Sequence, residues 1–369
     1  MQTLYSKMYI ALLICLGLVL ANVVVGVYAE RKVSAFMQDR LGPMEVGKYG
    51  LLQVIADLVK LLQKEDIVPA LANKRLFLMA PCVIFVAIFA GFAVLPLGPS
   101  EYLQGSQTDV GLFYLLAVVS IDIIGILMAG WASNNKYSLF GAMRSVAQIV
   151  SYEVPLGLTV ICVAMISQSL NLQEISLQQG IYTEETNYLF GLKFLAIDVS
   201  KIGGFLTWNI VRVPFFFPIY IIFFIATLAE SNRAPFDLPE AESELVGGFH
   251  TEYSGMRWAL VFLSEYGMML LVSILGAILF LGGWNTPFPN IGFLKLADWT
   301  SGEPNTWSGA IWGFFWLIAK AYTGIFIQMW IRWTFPRLRV DQLMYLTWKV
   351  LTPFAILGIF LSAIWRLLM

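Results

Sequence analysis

Eight stretches of this chain are each long and apolar enough to cross a bilayer as a helix. They lie at roughly 8–28, 77–96, 110–131, 142–168, 213–232, 256–281, 308–334 and 344–366, against a need of about 20 residues. Nothing else in the sequence constrains the fold as strongly. In hydrocarbon every backbone polar group has to be satisfied within its own segment, and helices do that. The expected fold is therefore an all-α polytopic membrane protein, one integral-membrane domain over residues 1–369 with no internal repeat. Composition agrees: 59% of residues are hydrophobic and only 13% charged, too few charges to cover a water-soluble surface. The first apolar run is too long for a signal-peptide core. Arg31 and Lys32 follow it where a cleavage site would stand, so it reads as a retained span.

Lys and Arg set the orientation. Residues between the first two spans hold Arg31, Lys32, Arg40, Lys48, Lys60, Lys64, Lys74 and Arg75, and the next connection, about 97–109, holds none. Lys136, Arg144, Arg233, Arg257, Arg337 and Arg339 also fall at odd connections. The even ones carry only Lys193, Lys201, Arg212 and Lys295. By the positive-inside rule the odd connections face the cytoplasm and both termini face out. The net charge of -1 speaks against a nucleic-acid partner. Cys15, Cys82 and Cys162 all sit in apolar runs without a CxxC and read as buried structural thiols, not as metal or cluster ligands. The single histidine, His250, reads first as a polar loop residue.

Two cytoplasmic segments stand out. Residues 29–76 contain "GLLQVIADLVKLLQKE", in which Leu51, Leu52, Ile55, Leu58, Val59 and Leu62 share one helical face and Gln53, Asp57, Lys60 and Lys64 the other. That helix is too polar to span and is expected at the interface, either resting on headgroups or lining an entry for a lipid-like molecule. Residues 230–257 contain "PFDLPEAESELVGG", which places Asp237, Glu240, Glu242 and Glu244 in a short stretch interleaved with apolar residues. Apolar interleaving favours a folded, partly buried segment over a solvated acidic loop.

Ionisable residues inside spans are costly and mark function. Asp122, Glu153, Glu265 and Lys320 are the candidates, with Glu230 at the end of the fifth span and Glu252 before the sixth. Arg144, Gln148 and Ser151 form a polar stripe on the fourth span, and Pro155 can free the Ser151 carbonyl near Glu153. Crowded carboxylates titrate together and share protons. An acidic funnel leading to Glu153, Glu265 and Lys320 reads as a proton path. The structural alternative is a set of buried ion pairs, for example Lys320 with Glu265.

Two motifs carry a family resemblance: "GLLQVIADLVKLLQKE" (Gly50 to Glu65) and "RAPFDLPEAESELVGGFHTEYSGM" (Arg233 to Met256). Three further stretches support it: "ERKVSAFMQDRLGP", "SNNKYSLFGAMRSVAQIVSYEVP" and "FPRLRVDQLM". The chain resembles, over nearly its whole length, the H subunit family (subunit 1 in mitochondria) of respiratory complex I, the proton-pumping NADH:quinone oxidoreductase. Leu58 departs from the first motif, where a smaller residue is usual. The resemblance implies a membrane-arm heel subunit that forms the membrane mouth of a quinone tunnel. It implies quinone as substrate and no cofactor on this chain, with FMN and iron–sulfur clusters on partner subunits. Implied partners are the peripheral-arm quinone-site subunits and the small and antiporter-like membrane subunits, in a bacterial inner membrane. By the same resemblance Arg40, Leu51, Leu52, Ile55 and Phe236 border the tunnel. Glu153, Glu230, Asp237, Glu240, Glu242 and Glu252 form a proton-linked chain, Arg144 and Arg233 partner it, and Arg339 with Asp341 forms a further cluster. Asp122 matches no family position, and the fourth loop, about 169–212, is longer and more polar than the resemblance leads one to expect of many members. A free-standing proton-coupled transporter, or the equivalent subunit of a ferredoxin- or hydrogenase-linked complex, stays open on the sequence alone.

Overall fold

A computed structural model describes residues 2–106, 108–183, 186–191, 198–238, 245–291, 295–304 and 306–368. Glu240, Glu242 and Glu244 lie outside the described residues, and so does Lys193. Seven helices are long and apolar enough to cross a membrane: α1 (Gln2–Met37), α3 (Lys74–Val94), α4 (Gly111–Ala132), α5 (Lys136–Ser167), α8 (Gly255–Phe280), α9 (Trp307–Thr334) and α10 (Val340–Leu368). An eighth apolar helix, α7 (Phe216–Glu230), is shorter. These are the eight segments expected from hydropathy, and among the described residues there is no β-strand, only two isolated bridges. Helix α2 (Gln53–Gln63) is the amphipathic segment, and α6 (Leu172–Gln178) opens the fourth connection.

Helix α8 is the axis of the bundle. Of its most apolar window 78% is buried inside the protein, against 22% for α9 and for α10. Glycines bring α3, α4 and α5 close, as small residues do where lipid supplies no hydrophobic drive for helix pairing. A Cβ on Gly141 of α5 would stand 2.7 Å from the backbone of Gly248, so glycine is required for the 248–250 turn to seat on α5. Ser138 Oγ donates to the Phe249 carbonyl and fixes that seat. Helix α5 stays helical through Pro155, and the Ser151 hydroxyl donates to Ala147 O. Cys15 and Cys162 are buried as expected, whereas Cys82 is exposed on the outer side of α3.

Helix α7 has 15 residues, about 22 Å at 1.5 Å per residue, short of a hydrocarbon core of about 30 Å. The fourth connection makes up the difference by folding onto the bundle end. Irregular backbone at that depth needs internal partners, and side-chain amides provide them. Gln179 donates to Ile175 O and Ile278 O and accepts from the N–H groups of Asn209 and Gly282. Asn209 donates to Leu279 O and Asn285 to Ser176 O. This loop is a stitched cap.

Lys320 belongs to the same cap. Its ammonium donates to the carbonyls of Leu281, Gly283 and Asn285 at 2.6, 2.9 and 2.6 Å and lies 4.2 Å from the centre of the Trp208 ring. A cation at a helix C-terminus satisfies the carbonyls that have no intrahelical partner. Glu265 lies sixteen residues before Leu281 on the same helix and its extension, about 24 Å away. The pairing of Lys320 with Glu265 considered from sequence is therefore absent, and Lys320 stands apart from the carboxylates. Lys320→Met should lower stability by about 3 kcal/mol, because three buried carbonyls lose a charged donor. The test is the thermal unfolding midpoint in detergent. An unchanged midpoint would remove Lys320 from this structural post.

Candidate functional site

A cavity of about 670 Å³ opens at the end of the bundle that carries the odd connections. Helix α1 runs for 36 residues, about 54 Å, well beyond the thickness of the hydrocarbon core, and brings Glu30, Arg31 and Ser34 to the cavity wall. The segment after α7 contributes Arg233, and the 245–251 turn contributes Val246, His250 and Thr251. Helix α8 supplies Trp258, Phe262, Glu265 and Tyr266; α9 supplies Arg332 and Trp333. The volume fits a drug-sized ligand, and the wall combines aromatic surface with a few convergent charges, the usual make-up of a ligand pocket.

Arg233 is the centre of the charge arrangement. It is 5% exposed. Its Nη1 lies 3.7 Å from Glu30 Oε2 and its Nη2 3.7 Å from Glu265 Oε2. The guanidinium carbon sits 4.4 Å from the centre of the Tyr266 ring, a cation–π contact. Glu30 also binds Arg332, and Tyr266 donates its hydroxyl to Glu30. On the other side His250 Nε2 is 3.5 Å from Glu265 Oε1. Two carboxylates thus share two guanidiniums, a phenol and an imidazole. Local sequence explains how Arg233 gets there. Helix α7 ends at Glu230, and Asn232 takes a left-handed φ of 49°, a conformation asparagine tolerates after a helix. Asn232 Oδ1 accepts from Gln148 at 3.3 Å, which ties this corner to α5.

At the rim, Tyr253 stacks on Phe77 with ring centres 4.2 Å apart and donates to Phe77 O. Burial raises the Tyr253 phenol above its ordinary range, partly offset by nearby Arg257, so it stays a neutral donor. Arg257 pairs with Asp66 at 2.7 Å.

A second, smaller void of about 20 Å³ lies deeper, bordered by Asp122, Glu230 and Glu265 among mostly apolar neighbours. Glu230 interacts electrostatically with both Glu153 and Asp122. The Ser120 hydroxyl, on the same helix as Asp122, donates to Leu116 O at 2.9 Å. The structure therefore gathers Glu265, Glu230 and Asp122 around one void, with Glu153 half-buried on α5 and outside its wall.

Other expected residues fall elsewhere. Arg40 lines the large cavity. Phe236 does not; it is buried edge-on against Tyr152, ring centres 5.3 Å apart. Leu51, Leu52 and Ile55 are about half exposed on the outer face of the α2 region and do not line the large cavity. The side of α2 that meets the bundle is the buried Val54 with Asp57, which takes Arg31 at 2.6 Å. Asp237 pairs with Arg337 at 3.1 Å, and Glu252 accepts from Asn135, the N-cap of α5, at 2.6 Å. Arg144 is half-buried on α5, while Arg339 and Asp341 are exposed at the start of α10. Sequence reasoning passed over Glu30, Arg332 and Tyr266. Glu30 was visible only as an acid adjoining two basic residues at the end of a span. Among the described residues no group of three or more His, Cys, Asp or Glu is arranged to hold a metal ion.

Glu30→Gln leaves Arg233 and Arg332 facing each other without their shared anion. Breaking a buried pair this way costs about 3–5 kcal/mol, so the yield of folded protein should fall sharply. Tyr266→Phe removes one hydrogen bond to a charged group and should cost about 1.5–3 kcal/mol. Thermal unfolding of the two purified variants checks the order. Equal midpoints would show that Glu30 is not the shared anion.

Comparison with known proteins supplies the family. The model of the NADH dehydrogenase family matches residues 10–363. The chain is 58% identical to the second of the H subunits of NADH-quinone oxidoreductase in Cytophaga hutchinsonii, over 97% of this chain and 98% of that protein. It is 54% identical to the NADH-quinone oxidoreductase H subunit of Chlorobaculum parvum, covering 92% of this chain and 87% of the relative. With the corresponding H subunit of Bacillus mycoides it shares 45% identity over 94% and 90% of the two chains. The chain belongs to the NADH dehydrogenase family, among the H subunits of NADH-quinone oxidoreductase.

Proposed function

We propose that this chain is the heel subunit of the membrane arm of a bacterial, proton-translocating NADH:quinone oxidoreductase, and that its large cavity is the membrane mouth of the quinone path. One observation carries the reading: Glu265 is the residue common to the walls of the 670 Å³ cavity and the 20 Å³ void. A change of charge in the cavity is thereby presented to the same carboxylate that faces the buried acids.

The large cavity suits an isoprenoid quinone. Val27, Trp258, Phe262 and Trp333 offer apolar wall, while Arg40, Arg332 and His250 offer donors to carbonyl oxygens. Reduction of quinone to quinol consumes two electrons and two protons. The electrons come from an iron–sulfur cluster on a peripheral-arm subunit, with FMN further upstream in the complex. This chain supplies electrostatics and protons. Protons drawn toward the quinone head leave negative charge near His250 and Glu265. Arg233, held equally between Glu30 and Glu265, shifts its pairing, and the proton balance on Glu265 follows. Glu230 and Glu153 continue the succession away from the cavity. Such linkage between a redox site and a proton chain is a coupling free energy between two sites.

Asp237, joined to Arg337, and Glu252 form the approach from the cytoplasmic side, and the family resemblance adds Glu240 and Glu242 to the same proton-linked chain. The outward apolar face of the α2 region, including Leu51, Leu52 and Ile55, meets lipid or a quinone tail before it enters. Full-length correspondence with relatives that are H subunits favours this reading over a free-standing transporter.

Glu265→Gln in assembled membranes should lower NADH-driven quinone reduction and proton uptake together, by at least about tenfold. Asp237→Asn should lower both by a smaller factor. The measurements are quinol formation and dye-reported acidification in closed vesicles. Wild-type turnover and wild-type pumping in both variants would be fatal to the proposal.

A further inference from the structure

Asp122 is the ionisable residue that neither the motifs nor the large cavity explains. It lies on α4 and is 8% exposed. Its Oδ1 has no hydrogen-bond partner among the described residues. It borders the 20 Å³ void together with Glu230 and Glu265. That volume holds about one water molecule, which needs two or more polar partners to stay. The other polar side chains on the wall are committed elsewhere. Ser231 Oγ donates to Leu228 O, Ser264 Oγ to Leu260 O, and Asn232 Oδ1 accepts from Gln148. Among the described residues no cationic side chain borders the void.

We propose that Asp122 is a proton-holding member of the buried carboxyl succession, joined to Glu230 and Glu265 through one water site in the void between α3, α4, α7 and α8. The proposal rests on the functional reading above and adds a residue and a connection to it. Glu265 is paired on its far side with Arg233 and His250, but Asp122 and Glu230 meet at a void with no cation on its wall and cannot both be ionised cheaply. A proton held among them neutralises the site. Its movement is balanced: the O–H bond on Asp122 breaks, the bridging water passes a proton on, and an O–H bond forms on Glu230 or Glu265, with the negative charge moving the opposite way. A merely structural carboxyl would spend Oδ1 on a donor; Asp122 leaves it without one and borders the void.

The test uses the assembled complex in proteoliposomes with Asp122→Asn, Asp122→Leu and Asp122→Glu beside Glu265→Gln. Asp122→Asn and Asp122→Leu should lower proton-coupled quinone reduction at least about tenfold, and Asp122→Glu should restore it. A protonated-carboxyl stretching band in the redox-induced infrared difference spectrum should disappear in Asp122→Asn and shift in Asp122→Glu. Wild-type rate and proton yield in Asp122→Asn and Asp122→Leu, with Glu265→Gln impaired, would overturn the role of Asp122 alone. Wild-type behaviour in all four would overturn the functional reading as well. If Asp122→Asn and Asp122→Leu do not assemble, the Asp122→Glu spectrum decides: an unshifted band overturns the assignment.

Discussion

The placement of one guanidinium organises the functional end of this protein. Arg233 lies 3.7 Å from each of two carboxylates, Glu30 and Glu265, and against the face of Tyr266. Buried charge is tolerated only when paired and hydrogen-bonded. To pair this one, α1, α8, α9 and the segment after α7 must all converge: Glu30 comes from α1, Glu265 and Tyr266 from α8, and Arg332 from α9. Among the described residues Glu30 and Glu265 stand at the same distance from Arg233. A guanidinium shared between carboxylates can redistribute its pairs when nearby charge changes.

The opposite end of the bundle is built on another rule. There the short helix α7 and the fourth connection leave irregular backbone near membrane depth, and the solution is saturation with hydrogen bonds. Gln179 serves four backbone groups and Lys320 three carbonyls. Lys320 and Arg233 are both buried cations in the same molecule, yet they differ in kind. The first is surrounded by fixed carbonyl dipoles that carry no proton. The second is surrounded by groups that titrate. The second kind of environment suits coupling of charge to proton movement, which is why the proposed mechanism centres on Arg233 and not on Lys320.

The spans, the interfacial α2 helix and the buried acids were legible in the sequence because each rests on a local property: twenty apolar residues, a period of 3.6, or a charge where none is cheap. Partners were not legible. Glu30 meets Tyr266 across 236 positions and Arg332 across 302, and no periodicity reports such a meeting. His250 read as a loop residue because its partner, Glu265, lies on the next span, reached only once the 248–250 turn seats on Gly141. Phe236 packs on Tyr152 and does not line the large cavity, a detail that motif membership could not supply, since it says nothing of which way a ring turns. Cys82 misled for the converse reason: in a membrane protein an apolar run has a lipid face as well as a buried one, and hydropathy does not distinguish them.

The two ends together explain why the acids are placed where they are. Helix α8 joins them: its first half carries Glu265 between two cavities, and its end is clamped by the Lys320 cap. A helix fixed at one end and buried over most of its surface cannot answer a charge change by moving as a body. Side chains must answer instead. Around Glu265 the mobile elements are therefore guanidinium pairings, an imidazole and protons, all within reach of one carboxylate. In the proposed mechanism the capped end confines the response to the charged end, and the void behind Glu265 is the proposed way inward, along Glu230 toward Glu153.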